Sequence, residues 1–274
     1  MKELFFFLTL IVYVLSFIGF AFYFKTLRKD VLKYSQGLLA IGFGFHSIYW
    51  ITRGYEIYLR ASLFFGDALN FLAWSLVLVY FIFTIGRIKI YTAGFFLMPL
   101  VLILLFLTEL KEFKIESPFE SYLKNLWFPL HAIAGLVSHA FLLFGVIAAI
   151  MYLLQEREIK RKKLGIFFKK LPPLEYLDRT MEKALYLGFI FLTVAMLSGA
   201  MWSDLVFGDY WVWSPKQVIT FILWIVYAIL IHQRVLIGWR GKKTAQMLIM
   251  GFCLWAISFF VVSLCCKGFH SYAY

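Results

Sequence analysis

The sequence predicts an all-α, polytopic transmembrane helical bundle of about eight spans with both termini outside. Three observations predict it. Of 274 residues, 63% are hydrophobic and only 15% charged, whereas a soluble domain is about half apolar and a quarter charged. The mean hydropathy is +0.83. Apolar runs close to the ~20 residues that cross a hydrocarbon core recur from one end of the chain to the other. This composition excludes soluble, disordered, collagen-like and small disulfide-scaffold classes.

The first span, 4–24, follows Lys2. It is too long for a signal-peptide core, lacks a small-x-small cleavage site and is followed by more spans, so it is read as retained. The second, 35–52, is the least apolar, diluted by Gly42, Gly44, His46 and Ser47. The third and fourth cover 68–86 and 91–109, and an outer segment, 110–127, follows. Glu56 and Asp67, beyond the second span, read as capping or pairing residues near an interface. The fifth span, 128–154, opens at Pro129 and carries His131 and His139. A basic stretch, 155–183, separates it from the sixth at 184–203. A tryptophan-rich segment leads to the seventh at 218–237, and the eighth covers 245–266. With no repeat of fixed period, low-complexity tract or soluble segment, 1–274 reads as a single membrane domain.

Charge sets the orientation. Segments 25–34, 87–90, 155–183 and 231–244 hold 19 of the 27 Lys and Arg. The positive-inside rule places them in the cytoplasm and both termini outside. The run Glu156-Arg157-Glu158-Ile159-Lys160-Arg161-Lys162-Lys163 is then a topology anchor touching anionic membrane lipid, not a nucleic-acid site.

The three cysteines, Cys253, Cys265 and Cys266, lie in the last span and form neither a CxxC redox pair nor a CxxCH haem-attachment motif. They read as small buried hydrophobes. Histidine is more informative. Only His46, His131, His139, His232 and His270 occur, and ionisable side chains at membrane depth are costly to keep there. His131 falls at the outer mouth of the fifth span and His270 just beyond the outer end of the eighth. Such a pair of imidazoles suits axial ligation of a haem iron. His232 lies near the inner end of the seventh span, close to Arg234. His46 and His139 fall deeper and read as hydrogen-bonded packing residues.

Between His131 and His270 in sequence lies an outer loop that packs Trp202, Phe207, Tyr210, Trp211 and Trp213 into twelve residues. An interfacial belt scatters aromatics over many helix ends; this concentration favours a platform for a flat apolar ligand. Gly208 and Pro215 let the backbone turn, and Lys216 can face an anion such as a propionate.

The segment Phe207-Gly-Asp-Tyr-Trp-Val-Trp-Ser-Pro-Lys-Gln217 resembles the tryptophan-rich WGxxWxWDPKE (WWD-type) motif of the haem-handling cytochrome c assembly family. Trp224-Ile-Val-Tyr-Ala-Ile-Leu-Ile-His-Gln-Arg234 is similar to its WxxxAIYLHTR, Gly238-Trp-Arg-Gly-Lys-Lys243 to its GWRGKK, and Gly268-Phe-His-Ser-Tyr-Ala273 to its GLHSYA. Pro129-Leu-His131 fits the family's first external histidine. The CcsA (ResC-like) branch is the nearest, over most of the chain.

The resemblance implies a haem-delivery subunit of a cytochrome c synthase in a bacterial or organellar inner (cytoplasmic) membrane. It implies haem b as substrate, held at the outer, periplasmic face by His131 and His270. Trp202, Phe207, Gly208, Tyr210, Trp211, Trp213 and Lys216 would cradle the porphyrin. It also implies an inner haem site at His232, completed by a CcsB/ResB-like membrane subunit. Haem vinyl groups would be presented to the CxxCH thiols of apocytochrome c, so the chain would take part in a haem lyase reaction without a catalytic side chain of its own.

Phe207, Ser214 and Gln217 stand where the family has Trp, Asp and Glu. Two loop carboxylates are therefore missing, and a non-catalytic HemX-like protein that regulates or relays haem is the alternative. A b-type electron-transfer protein fits less well, because His131 and His270 come from separate helix ends and His232 has no partner at its own depth.

Overall fold

The computed structural model describes residues 2–60, 65–85, 90–108, 125–162 and 165–257. Among them the ordered elements are helices: α1 (Lys2–Thr26), α2 (Lys29–Arg60), α3 (Phe65–Ile85), α4 (Ala93–Thr108), α5 (Trp127–Lys160), α6 (Ile166–Lys170), α7 (Leu174–Phe207), α8 (Pro215–His232), a π-helical turn (Gln233–Ile237) and α9 (Lys242–Ala256). The apolar segments overlap these helices, the fourth starting two residues ahead of α4 and the seventh running from α8 into the π turn. Five are long and apolar enough to cross a membrane: α1, α3, α5, α7, and α8 together with the π turn. The fourth, at Ala93–Thr108, is apolar but shorter.

Two boundaries differ from the sequence reading. The second span lies inside a 32-residue helix, about 48 Å long, whose polar residues lower its hydropathy. The basic stretch 155–183 is mostly helical: α5 continues to Lys160, α6 follows, and α7 starts at Leu174. Lys and Arg are good helix formers, so the charged stretches do not mark where the helices end.

α5 is the central helix. Its residues 140–149 are buried without a break, as expected of a helix apolar all round. α3, α4, α7 and α9 pack against it, and α1 forms a hairpin with α2. Small residues let α5 and α7 approach closely. A Cβ on Gly188 would meet the Leu142 side chain at 2.7 Å, and one on Gly145 would meet Ala184 at 3.2 Å. Ser138 donates to the Gly188 carbonyl at 2.7 Å.

Residues from three of the segments grouped by charge, 25–34, 155–183 and 231–244, form contacts at one end of the bundle. At one end Lys170 donates to the Lys25 carbonyl at 2.9 Å. Nearby, Arg234 Nη2 bonds Asp178 Oδ2 at 2.7 Å, and Asp178 accepts from the Gly241 N–H at 2.7 Å. At the other end Lys2 pairs with Glu56 at 2.8 Å. There Arg53 holds both oxygens of Asp67 at 2.8 and 2.7 Å. Glu56 and Asp67 are thus pairing residues.

Candidate functional site

α5 begins where Asn125 Oδ1 accepts from the N–H groups of Trp127 and Phe128 at 2.9 and 3.1 Å. That start places His131 in the first turns. Its Nδ1 lies 2.8 Å from the Ala195 carbonyl of α7. A carbonyl can only accept, so Nδ1 carries the proton and Nε2 keeps a lone pair, the form that ligates a metal. Gly199 makes room for the ring: a Cβ there would sit 2.6 Å from Nδ1. Neither Ala195 nor Gly199 stood out in the sequence; the only signal was the Ser198-Gly199 small pair upstream of the loop.

α7 ends in the left-handed region at Gly208 (φ 75°), whose N–H returns to the Asp204 carbonyl. Glycine takes that conformation without steric cost. The chain is then irregular until Ser214 caps α8. Ser214 Oγ accepts from the Gln217 N–H at 3.3 Å, and Gln217 Oε1 accepts from the N–H groups of Ser214 and Val212 at 3.4 and 3.2 Å. Pro215 occupies the first helical position. This is a capping box, formed by the two residues that depart from the acidic pattern. The substitutions preserve the chemistry that starts α8.

The loop residues do not act alike. Trp202 lies within α7, only 5% exposed, its ring 5.3 Å from that of Phe128. It belongs to the packing beneath the loop. Phe207 closes α7 and is exposed, as is Tyr210; Trp213, at φ 48°, is 78% exposed. Trp211 and Trp213 meet edge to face at 5.8 Å. The buried Trp211 indole N–H has no hydrogen-bond partner among the described residues, so a ligand oxygen could accept from it.

The rings continue below the loop. Trp211 packs on Phe221, Phe221 stacks on Trp224, and Trp224 stacks on Phe189, with centroids 5.8, 6.3 and 5.3 Å apart. Trp224 Nε1 donates to Thr193 Oγ1 at 2.9 Å. Phe189 also lines a shallow, open surface cavity with Ala228, Ile231, His232, Val235 and Leu236. His232 is the last residue of α8 and is followed directly by the π turn, an element frequent at functional sites.

The remaining histidines separate clearly. His46 is buried, and both ring nitrogens are engaged, by Asn70 Oδ1 at 2.9 Å and the Tyr13 hydroxyl at 3.3 Å. It is a packing residue, as its sequence position suggests. His139 bonds the Gly135 carbonyl through Nδ1, and its ring lies 5.0 Å from that of Trp255. Lys216 follows Pro215 in the first turn of α8. His270, Cys265 and Cys266 lie outside the described residues. Cys253 is exposed on α9 and not buried as expected, because it faces away from the helices α9 packs on. Among the described residues no three His, Cys, Asp or Glu gather as a metal site.

The profile of the family described as "Cytochrome C assembly protein" matches residues 63–270. The chain is 31% identical over 239 residues to the cytochrome c biogenesis protein CcsA of Chlorella vulgaris, covering 76% of each chain. It is 34% identical over 166 residues to the CcsA protein of Chlamydomonas reinhardtii, covering 60% of this chain and 45% of that one. To the CcsA protein of Trieres chinensis it is 29% identical over 255 residues, covering 82% and 80%. The chain belongs to the cytochrome c assembly protein family.

Proposed function

We propose that this member of the cytochrome c assembly family carries haem b across a bacterial or organellar cytoplasmic (inner) membrane. At the outer face it holds the haem for covalent attachment to apocytochrome c. The carrying observation is His131: its proton is fixed on Nδ1 by the Ala195 carbonyl, so Nε2 is ready to ligate iron. It lies in the part of the fold that carries the tryptophan-rich loop, and His270 supplies the second axial imidazole. Trp211 and Trp213 offer apolar faces to the macrocycle, and Lys216 offers a positive charge for a propionate.

Haem contributes electrophilic vinyl groups. Addition of a cysteine S–H across a vinyl C=C forms the C–S bond and places the hydrogen on the neighbouring carbon, with no net oxidation. The chain's part is to immobilise the porphyrin so that its vinyl carbons meet the CxxCH thiols in a fixed geometry. His232 and its cavity serve as the inner station, with the other axial ligand supplied by a CcsB/ResB-like membrane subunit. Because Ser214 and Gln217 keep α8 capped, the missing carboxylates do not remove the loop's structural basis for attachment.

The test is co-expression with a CcsB/ResB-like partner and a periplasmic CxxCH reporter. Covalent haem on the reporter is expected with the native chain and not with His131→Ala or His270→Ala. A chain that loads haem yet leaves the reporter unmatured would favour the relay reading. Maturation that survives both replacements would overturn the outer-site assignment.

A further inference from the structure

His139 is set up as His131 is and is left unused by the function above. Its Nδ1 faces the Gly135 carbonyl one turn earlier on α5. It too must carry its proton on Nδ1 and keep the Nε2 lone pair. Among the described residues neither His131 nor His139 forms any bond through Nε2. His46 is the contrast, with both nitrogens engaged. A packing histidine is expected to engage both polar atoms, and His139 engages one.

The surroundings also suit a flat ligand. The Trp255 ring of α9 lies 5.0 Å from the imidazole, tilted by 37°. Gly135, between the two histidines on the same face, has Ala195 as its nearest neighbour, 3.8 Å from where a Cβ would stand. At Gly135 itself, then, α7 is met through a small side chain.

His131 and His139 are eight residues apart, about 12 Å along the helix axis. Two nitrogens on one iron stand about 4 Å apart, each near 2 Å from the metal. The two rings, tied to different carbonyls, serve one iron in turn and do not clamp it together. His139 thus lies about two turns further along α5 from the tryptophan-rich loop than His131 does.

We propose that His139 is a third axial ligand, an intermediate station at which haem is held on its way between His232 and His131. This rests on the haem-handling reading above. The test uses the full-length protein in detergent, titrated with ferric protoporphyrin IX and followed by absorption and electron paramagnetic resonance. His232→Ala and His270→Ala are placed in every sample, which leaves His131 and His139 as the imidazoles with an open nitrogen.

In that background, adding His131→Ala is expected to weaken haem binding by about tenfold while keeping a nitrogen-ligated iron. Further addition of His139→Phe, which preserves a ring against Trp255, is expected to abolish nitrogen ligation. His139→Gly at the same step is expected to regain it with free imidazole. If nitrogen ligation is already gone with His131→Ala in a folded, helical protein, or persists unchanged through His139→Phe, the inference is overturned. An affinity unaffected by His131→Ala would instead sink the outer-site reading, and the effect of His139→Phe in that series would still decide the role of His139.

Discussion

Gly199→Ala tests how the outer imidazole is held. The added Cβ would stand 2.6 Å from His131 Nδ1, 2.9 Å from Cε1 and 3.4 Å from Cγ. Restoring ordinary contact requires the ring to shift by about 0.9 Å, since contacts are most favourable beyond about 3.5 Å. That shift draws Nδ1 away from the Ala195 carbonyl, now at 2.8 Å. Overpacking of this kind costs about 1–3 kcal/mol and a lost hydrogen bond about 1 kcal/mol. Replacing a helical glycine by alanine returns about 1 kcal/mol, which leaves a net destabilisation of about 1–3 kcal/mol.

In a His131→Ala background the ring is gone, so Gly199→Ala should become neutral or stabilising by up to about 1 kcal/mol. The assay is a double-mutant cycle on reversible denaturant unfolding of the detergent-solubilised protein, with ferric haem affinity as a second readout. A coupling of about 2 kcal/mol or more between the two sites is expected. Equal costs of Gly199→Ala in both backgrounds would refute the claim that this glycine exists to seat the imidazole.

Two further outcomes follow from the ion pairs at the ends of the bundle. Asp178 takes the fork of the 3%-exposed Arg234 side chain and the Gly241 N–H, and Glu182 at 3.3 Å offers a second carboxylate, so Asp178→Ala should cost about 3 kcal/mol, the lower end for breaking a buried ion pair. Replacing both partners by apolar residues, as Asp178→Leu with Arg234→Met, should cost less, as read by the same unfolding assay. At the opposite end, the hydrogen bond from the Lys2 ammonium, aided by Arg53, holds the Glu56 carboxyl below the usual carboxylate range. A lowered folded value contributes stability above the unfolded value near 4.3, and that contribution fades as pH falls through the folded one. Glu56→Gln should flatten this acid limb of the stability profile; an unchanged profile would remove the pair from the account.

Much of the candidate site was legible before folding. His131 and His232 were set apart by rarity and by their places at span ends, and Trp211 and Trp213 by crowding in one short loop. That Trp202 packs on Phe128, seventy-four residues away in sequence, was not legible in the chain. His139 looked like an ordinary core imidazole, since its single engaged nitrogen and its contact with Trp255 cannot be read from neighbours in the chain. Ser214 and Gln217 looked like losses relative to the acidic pattern until the capping geometry showed them meeting the same helix-start requirement.

Composition and the spacing of apolar runs alone determine that this chain is a bundle of membrane-length helices, and charge groups their ends. Both follow from the transfer of side chains between water and hydrocarbon, which each segment experiences independently of the rest. Which carbonyl fixes an imidazole proton, which glycine yields to a ring and which aspartate neutralises Arg234 were decided only by the tertiary structure. Those outcomes depend on contacts at a few ångströms between residues more than fifty positions apart in the chain, and no local pattern specifies them.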